Sequence, residues 1–145
     1  MSPSDVAQLL AGLSIRWWIA GGWALDPEGR RAHKDVDVAV LRPDHERLRE
    51  HLAGWDLRIA HAGTLREWTG GPVGPPENGV WARPTPEDPW HVDFKIEAVE
   101  GDEWVYRRDP TVRRPVREIG VVVEGIPYLA PELAQLYATR ELRAR

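Results

Sequence analysis

Apolar and polar positions alternate most sharply in two stretches of the chain. From Asp35 to Leu41, the valines Val36, Val38 and Val40 fall on one side and Asp35, Asp37 and Ala39 on the other. A period of two predicts a strand with one face in a core and the other turned to something polar. From Trp90 to Ala98, the residues Val92, Phe94, Ile96 and Ala98 share one face, while His91, Asp93, Lys95 and Glu97 share the other. Pro3, Val6, Leu9, Leu10 and Leu13 have helical spacing behind Ser2 or Ser4 as N-cap, and Gly12 and Ser14 end that helix. Arg16 to Ala20 is a short apolar run that predicts a buried strand. Gly21-Gly22 breaks it, and Trp23-Ala24-Leu25 reads as the first turn of a short helix stopped near Pro27 and Gly29.

Pro43 to Leu52 predicts a helix with proline at its start, and Trp55 to Ala60 a further strand. Gly and Pro crowd the stretch from Gly70 to Pro89, which reads as a long surface loop or an irregular hairpin. Glu103 to Arg107, Pro115 to Glu118 and Val121 to Val123 read as shorter strands or strand edges. Pro131 to Arg143 closes the chain as a helix with Leu133, Leu136 and Tyr137 inward, and with Arg140, Arg143 and Arg145 where a helix favours positive charge. This order predicts an α/β (α+β) fold, a mixed β-sheet flanked by helices, in one domain over residues 1–145.

Composition narrows the chemistry. With 145 residues and no cysteine, the chain excludes disulfide scaffolds, thiolate catalysis and cysteine zinc sites. No apolar run approaches the roughly 18 residues of a membrane span, and the N-terminus lacks a secretory signal, so a cytoplasmic domain without membrane contact is expected. A net charge of −4 argues against a nucleic-acid partner. The histidines have no H-E-x-x-H spacing, and neither a P-loop nor a G-x-S-x-G elbow occurs. The 8 tryptophans against 1 phenylalanine put large flat side chains into the core or a pocket wall.

Asp35 and Asp37 stand two apart on one strand face, about 6–7 Å from each other. Carboxylates that close repel unless a cation lies between them, and hard oxygen ligands favour Mg²⁺ or Mn²⁺. Asp93 is the matching carboxylate on the second alternating strand; if the strands are neighbours, three carboxylates converge on a site suited to phosphoryl or nucleotidyl transfer. Gly21-Gly22 lies at a strand-to-helix junction, where small residues let backbone amides approach a phosphate. His33 reads either as a phosphate contact or partner of Asp35, or as a plain polar residue at a strand edge. Lys95 reads as a phosphate ligand or as the ion-pair partner of an aspartate. Arg30 and Lys34 read as solvated surface charge, with triphosphate neutralisation the rarer role; Arg107-Arg108 read as part of a sheet edge, with phosphate contact the minority reading; and Glu97 reads as a solvated strand end, with contact to a cationic acceptor as the alternative.

Trp18-Ile19-Ala20-Gly21-Gly22-Trp23-Ala24-Leu25-Asp26, then Gly29-Arg30, His33 and Asp35-Val36-Asp37-Val38, with Asp93 on a later strand, resemble the nucleotidyltransferase superfamily that includes DNA polymerase β. The likeness is to its aminoglycoside and lincosamide nucleotidyltransferases, and it extends through Trp104 to Pro110 and Gly125 to Glu132. The resemblance implies that Asp35 and Asp37 bind catalytic Mg²⁺ or Mn²⁺, that Asp93 is a third ligand or the general base, and that Gly21 and Gly22 cradle the triphosphate, with Lys95 and His33 as further nucleotide contacts. It implies transfer of a nucleoside monophosphate, AMP from ATP or another nucleoside triphosphate, onto a hydroxyl of a small molecule such as an aminoglycoside antibiotic. Many such relatives carry Lys where this chain has Ala138 or Thr139, and a further helical segment that helps to hold the acceptor. Here the acceptor is gripped differently, or a second subunit of a homodimer completes the site. The alternative is a catalytically inactive binding module of the same fold, such as a toxin–antitoxin component.

Overall fold

The two alternating stretches are neighbours. In the computed structural model, which describes residues 1–33 and 35–144, β2 (Val36–Leu41) and β6 (Val92–Glu100) run parallel, with Val36 opposite Val92, Asp37 opposite Asp93 and Val38 opposite Phe94. Lys34 and Arg145 lie outside the described residues, as do the side chains of Thr139, Arg140 and Arg143. On the far side of β2, β1 (Trp17–Ala20) pairs antiparallel and sets Ala20 opposite Asp37. β10 (Ile126–Leu129) lies parallel beside β1, and β9 (Gly120–Val123) completes that edge. Beyond β6 come β5 (Gly79–Arg83), β3 (Asp56–His61) and β4 (Thr64–Glu67), all antiparallel. β7 (Glu103–Val105) and β8 (Arg113–Pro115) form a small ribbon on the end of β6. The mixed sheet expected from the sequence is therefore present, and its two middle strands carry the paired aspartates.

Both faces of the sheet are covered. Val36, Val38 and Val40 join Phe94, Ile96, Val80 and Ile59 in one core, closed by Val6 of α1 (Pro3–Leu9) and Leu48 of α3 (His45–His51). On the other face, Ala39 and Leu41 meet Ala24 of α2 (Gly21–Leu25) and Leu133 of α4 (Pro131–Ala144), together with Trp104 and Tyr106. The face of β2 that carries Asp37 and Ala39 was expected to turn to something polar. It is polar only at its N-terminal end, because Ala39 is small enough to let α2 and α4 close over the rest. No helix among the described residues is long and apolar enough to cross a membrane.

Local differences from the sequence reading have local causes. Ser2 is the N-cap of α1: its Oγ accepts from the Asp5 N–H at 3.2 Å, and Asp5 Oδ2 accepts from the Ser2 N–H at 2.8 Å. The helix stops at Leu9, earlier than apolar spacing suggests, and residues 10–12 continue as a turn that ends at Gly12 with φ +83°. Asp35 falls one residue before β2 and is exposed. β5 lies inside the Gly- and Pro-rich stretch read as a long surface loop or an irregular hairpin, and of the two the antiparallel pairing of β5 with β6 gives the hairpin; Val80 and Ala82 are fully buried. Val116 to Glu118 is a 3₁₀ turn instead of a strand, and β10 has no counterpart among the expected elements.

Phe94 is fully buried on the face opposite Asp93 and Lys95, so its packing holds the strand that presents them. Phe94→Ala is expected to cost about 3–5 kcal/mol of unfolding free energy, read from the urea midpoint at unchanged slope. A cost below about 1 kcal/mol would show that β6 is not anchored there.

Candidate active site

The bend after β1 approaches the carboxylate of Asp37 more closely than a side chain would permit. Gly21 has φ +62°, and a Cβ on it would stand 2.1 Å from Asp37 Oδ2. A Cβ on Gly22 would stand 2.9 Å from His33 Nδ1. Both glycines are thus demanded by proximity, and the first by its left-handed backbone as well.

His33 sits behind this bend. Its Nε2 lies 2.8 Å from Asp26 Oδ2, and its ring packs 4.7 Å from that of Trp23. Asp26 also accepts from the Arg30 and Arg31 N–H groups at 3.0 and 2.9 Å. The partner of His33 is therefore Asp26 and not Asp35. The Arg31 and Arg30 amides, with His33 beside them, hold the Asp26 carboxyl at about 2, below the usual carboxylate range.

Asp93 and Lys95 point to the same side of β6. Lys95 Nζ donates to Asp93 Oδ2 at 2.8 Å, so of its two expected roles the structure shows the ion pair. Asp93 Oδ1 is buried and makes no hydrogen bond of ordinary geometry among the described residues. Burial pushes the Asp93 carboxyl above the usual carboxylate range, against the pull of Lys95, and the charge of Asp35 adds to the rise. Asp35, although exposed, lines a cleft with Asp93, Trp81 and Trp90. The structure thus brings Asp37, Asp93, Lys95 and Gly21 together and leaves Asp35 at the rim. Among the described residues, no group of three or more His, Asp or Glu side chains is gathered as a preformed metal cluster.

A cavity of about 240 Å³ opens between the sheet, α2 and α4, and is lined by Gly21, Gly22, Asp37, Lys95, Glu97 and Arg107 among others. Two of these residues depart from expectation. Glu97 is not a solvated strand end: it is 3% exposed, and the Tyr137 hydroxyl donates to its two oxygens at 2.9 and 3.1 Å. Burial raises its pKa, and burial followed by the nearby Glu97 raises that of Tyr137. Arg107 is not on a sheet edge: it reaches the cavity from the β7–β8 loop, with its guanidinium 5.2 Å from the centre of the Tyr137 ring. Alternation along β6 puts Glu97 on the face of Asp93, but neither the lid of α4 over it nor the course of the β7–β8 loop is encoded nearby in sequence.

Residues 4–61 match the family model described as aminoglycoside-2''-adenylyltransferase, a segment that holds the glycine bend, Asp35 and Asp37. A Thermotoga maritima protein described as a candidate nucleotidyltransferase superposes with a TM-score of 0.58 at 13% identity, over 97% of this chain and 83% of that one. The chain has the nucleotidyltransferase fold. ANT(2'')-Ia, solved in complex with adenylyl-2''-tobramycin, shares the fold with a TM-score of 0.54 at 18% identity, over 96% of this chain and 76% of that one. A search of curated proteins finds no significant match. The nucleotidyltransferase fold and the likeness of residues 4–61 to an aminoglycoside-modifying family agree with the sequence reading.

The loop that carries His33 hangs on the Asp26 carboxylate, and this sets a pH dependence. A folded-state value of about 2 against an ordinary 3.8 means stability that is present above the ordinary value and lost as pH falls through the folded one. Between about pH 4 and pH 2, wild type is therefore expected to lose stability more steeply than Asp26→Asn in denaturation curves. Identical slopes would show that Asp26 does not tie the loop.

Proposed function

We propose that the chain is a divalent-cation-dependent nucleotidyltransferase that moves AMP from ATP onto a hydroxyl of a small cationic acceptor of the aminoglycoside kind. The observation that carries this reading is the pairing of Asp37 and Asp93 in register on adjacent parallel strands, in front of a glycine bend that touches Asp37. The match of residues 4–61 to aminoglycoside-2''-adenylyltransferase and the adenylyl-2''-tobramycin held by ANT(2'')-Ia support the nucleotide and the acceptor class.

The donor set of Asp35 and Asp37 suits Mg²⁺ or Mn²⁺, since it is all carboxylate oxygen. Asp35 and Asp37 would hold the cation, which when bound would supply neutralisation of phosphate charge, while the buried Asp93 Oδ1, which makes no hydrogen bond of ordinary geometry among the described residues, serves as the base. The chain's own groups divide the remaining work. Gly21 lets the main chain pass against the Asp37 carboxylate and Gly22 lets it pass against His33, which sets the backbone of the bend beside Asp37 for contact with phosphate. Lys95 holds Asp93 Oδ2 and so turns Oδ1 toward the reacting hydroxyl. As the acceptor oxygen bonds to the α-phosphorus, its proton passes to Asp93 Oδ1; the bond from the α-phosphorus to the bridging oxygen breaks, and pyrophosphate leaves. The raised proton affinity of Asp93 suits a base better than an ordinary carboxylate would. Asp35 on the outer cleft favours an approaching ammonium-bearing acceptor. Modification of that hydroxyl is the chemistry of antibiotic resistance.

Pyrophosphate release with ATP and Mg²⁺, measured across a panel of aminoglycosides, tests the reading. Wild type turns over and Asp37→Asn stays at background. Asp93→Asn keeps nucleotide binding while its kcat falls by about 10²–10⁴. Wild type at background with every acceptor would leave the inactive binding module instead.

A further inference from the structure

Arg107 has no part in the mechanism above, yet it stands in the cavity that mechanism uses. The β7–β8 loop that carries it is a built structure: Tyr106 N–H donates to Val112 O at 3.0 Å, Val112 N–H to Asp109 O at 2.9 Å, and Thr111 N–H to Asp109 Oδ1 at 3.1 Å. The neighbouring Arg108 is pinned to α4 through Nη1 and Tyr137 O at 3.1 Å. Arg107 makes no hydrogen bond or ion pair with a described residue. Its guanidinium rests near the Tyr137 ring, half-buried, and borders both the cavity beneath the glycine bend and the adjoining one that holds Asp93.

The other charges there are already committed. Lys95 is paired to Asp93 Oδ2, and Glu97 is bound by the Tyr137 hydroxyl. α2 spans only five residues, so its aligned peptides add little positive potential. Glu97 feels the charge of Arg107 but is hydrogen-bonded by the Tyr137 hydroxyl, so the guanidinium keeps its N–H donors for a ligand, and a planar guanidinium pairs with phosphate through two parallel N–H donors. The reacting α-phosphate belongs at the Asp37–Asp93 pair. Arg107 comes from a different element and pairs with neither carboxylate, so it meets charge further along the polyphosphate.

We propose that Arg107 binds the β- and γ-phosphates of the nucleoside triphosphate, and then the departing pyrophosphate, across the cavity from Gly21-Gly22. This rests on the nucleotidyltransferase reading. The test compares wild type with Arg107→Gln, Arg107→Lys and Arg108→Gln, each confirmed folded by circular dichroism. The probes are α,β-methylene-ATP with Mg²⁺, AMP, and inorganic pyrophosphate as competitor, followed by isothermal titration. Arg107→Gln is expected to weaken triphosphate and pyrophosphate affinity by about tenfold or more while AMP affinity stays within about twofold. Arg107→Lys recovers part of the loss, and Arg108→Gln weakens triphosphate much less. Unchanged triphosphate affinity in Arg107→Gln, or an equal loss for AMP, overturns the proposal while wild-type binding leaves the nucleotidyltransferase reading standing. If wild type itself binds no triphosphate with Mg²⁺, both fall.

Discussion

At Gly21 the main chain leaves β1 with φ +62° and passes so close to Asp37 that a Cβ would lie 2.1 Å from its Oδ2. That contact joins the two halves of the site. On one side is a bend with open backbone; on the other is a strand whose carboxylate pairs in register with Asp93. The covered faces of the sheet keep both in place. Valines beneath β2 and Phe94 beneath β6 are fully buried, and Ala39 lets α2 and α4 close over the opposite face just beyond Asp37. The candidate site is therefore a small polar opening at the edge of an otherwise apolar sandwich.

Electrostatics inside that opening follow from partial burial. Asp93 keeps one oxygen on Lys95 and leaves the other without a hydrogen bond, and desolvation raises its affinity for a proton. Glu97 is buried more deeply and is satisfied by Tyr137 from α4, which fixes the floor of the cavity and the helix that roofs it at the same time. Removal of the hydroxyl would leave a buried carboxylate short of a donor, a situation that costs more than the bond itself contributes.

Much of this was legible in the sequence because strand periodicity is a local signal. The alternations at 35–41 and 90–98 told which side chains share a face, and the paired glycines marked the turn. The sequence put Asp37 and Asp93 on the polar faces of two strands, and the parallel pairing of β2 and β6 makes them neighbours. Non-local facts were not legible. The buried state of Glu97 depends on Tyr137, 40 residues away. The entry of Arg107 depends on the course of the β7–β8 loop, and the assignment of His33 to Asp26 depends on the turn between them. β5 was hidden because five residues of alternation are short beside the prolines and glycines around them.

The most direct measurement is the Mg²⁺-dependent binding of ATP by Gly21→Ala, followed by titration on protein shown to be folded. The left-handed backbone of an alanine there costs about 1–2 kcal/mol, and its methyl in addition forces the Asp37 carboxylate away from its place beside the bend. Loss of metal-dependent nucleotide binding with the fold retained is the predicted result. Wild-type affinity in folded Gly21→Ala would contradict the account, since the closeness of bend and carboxylate would then have no bearing on the ligand.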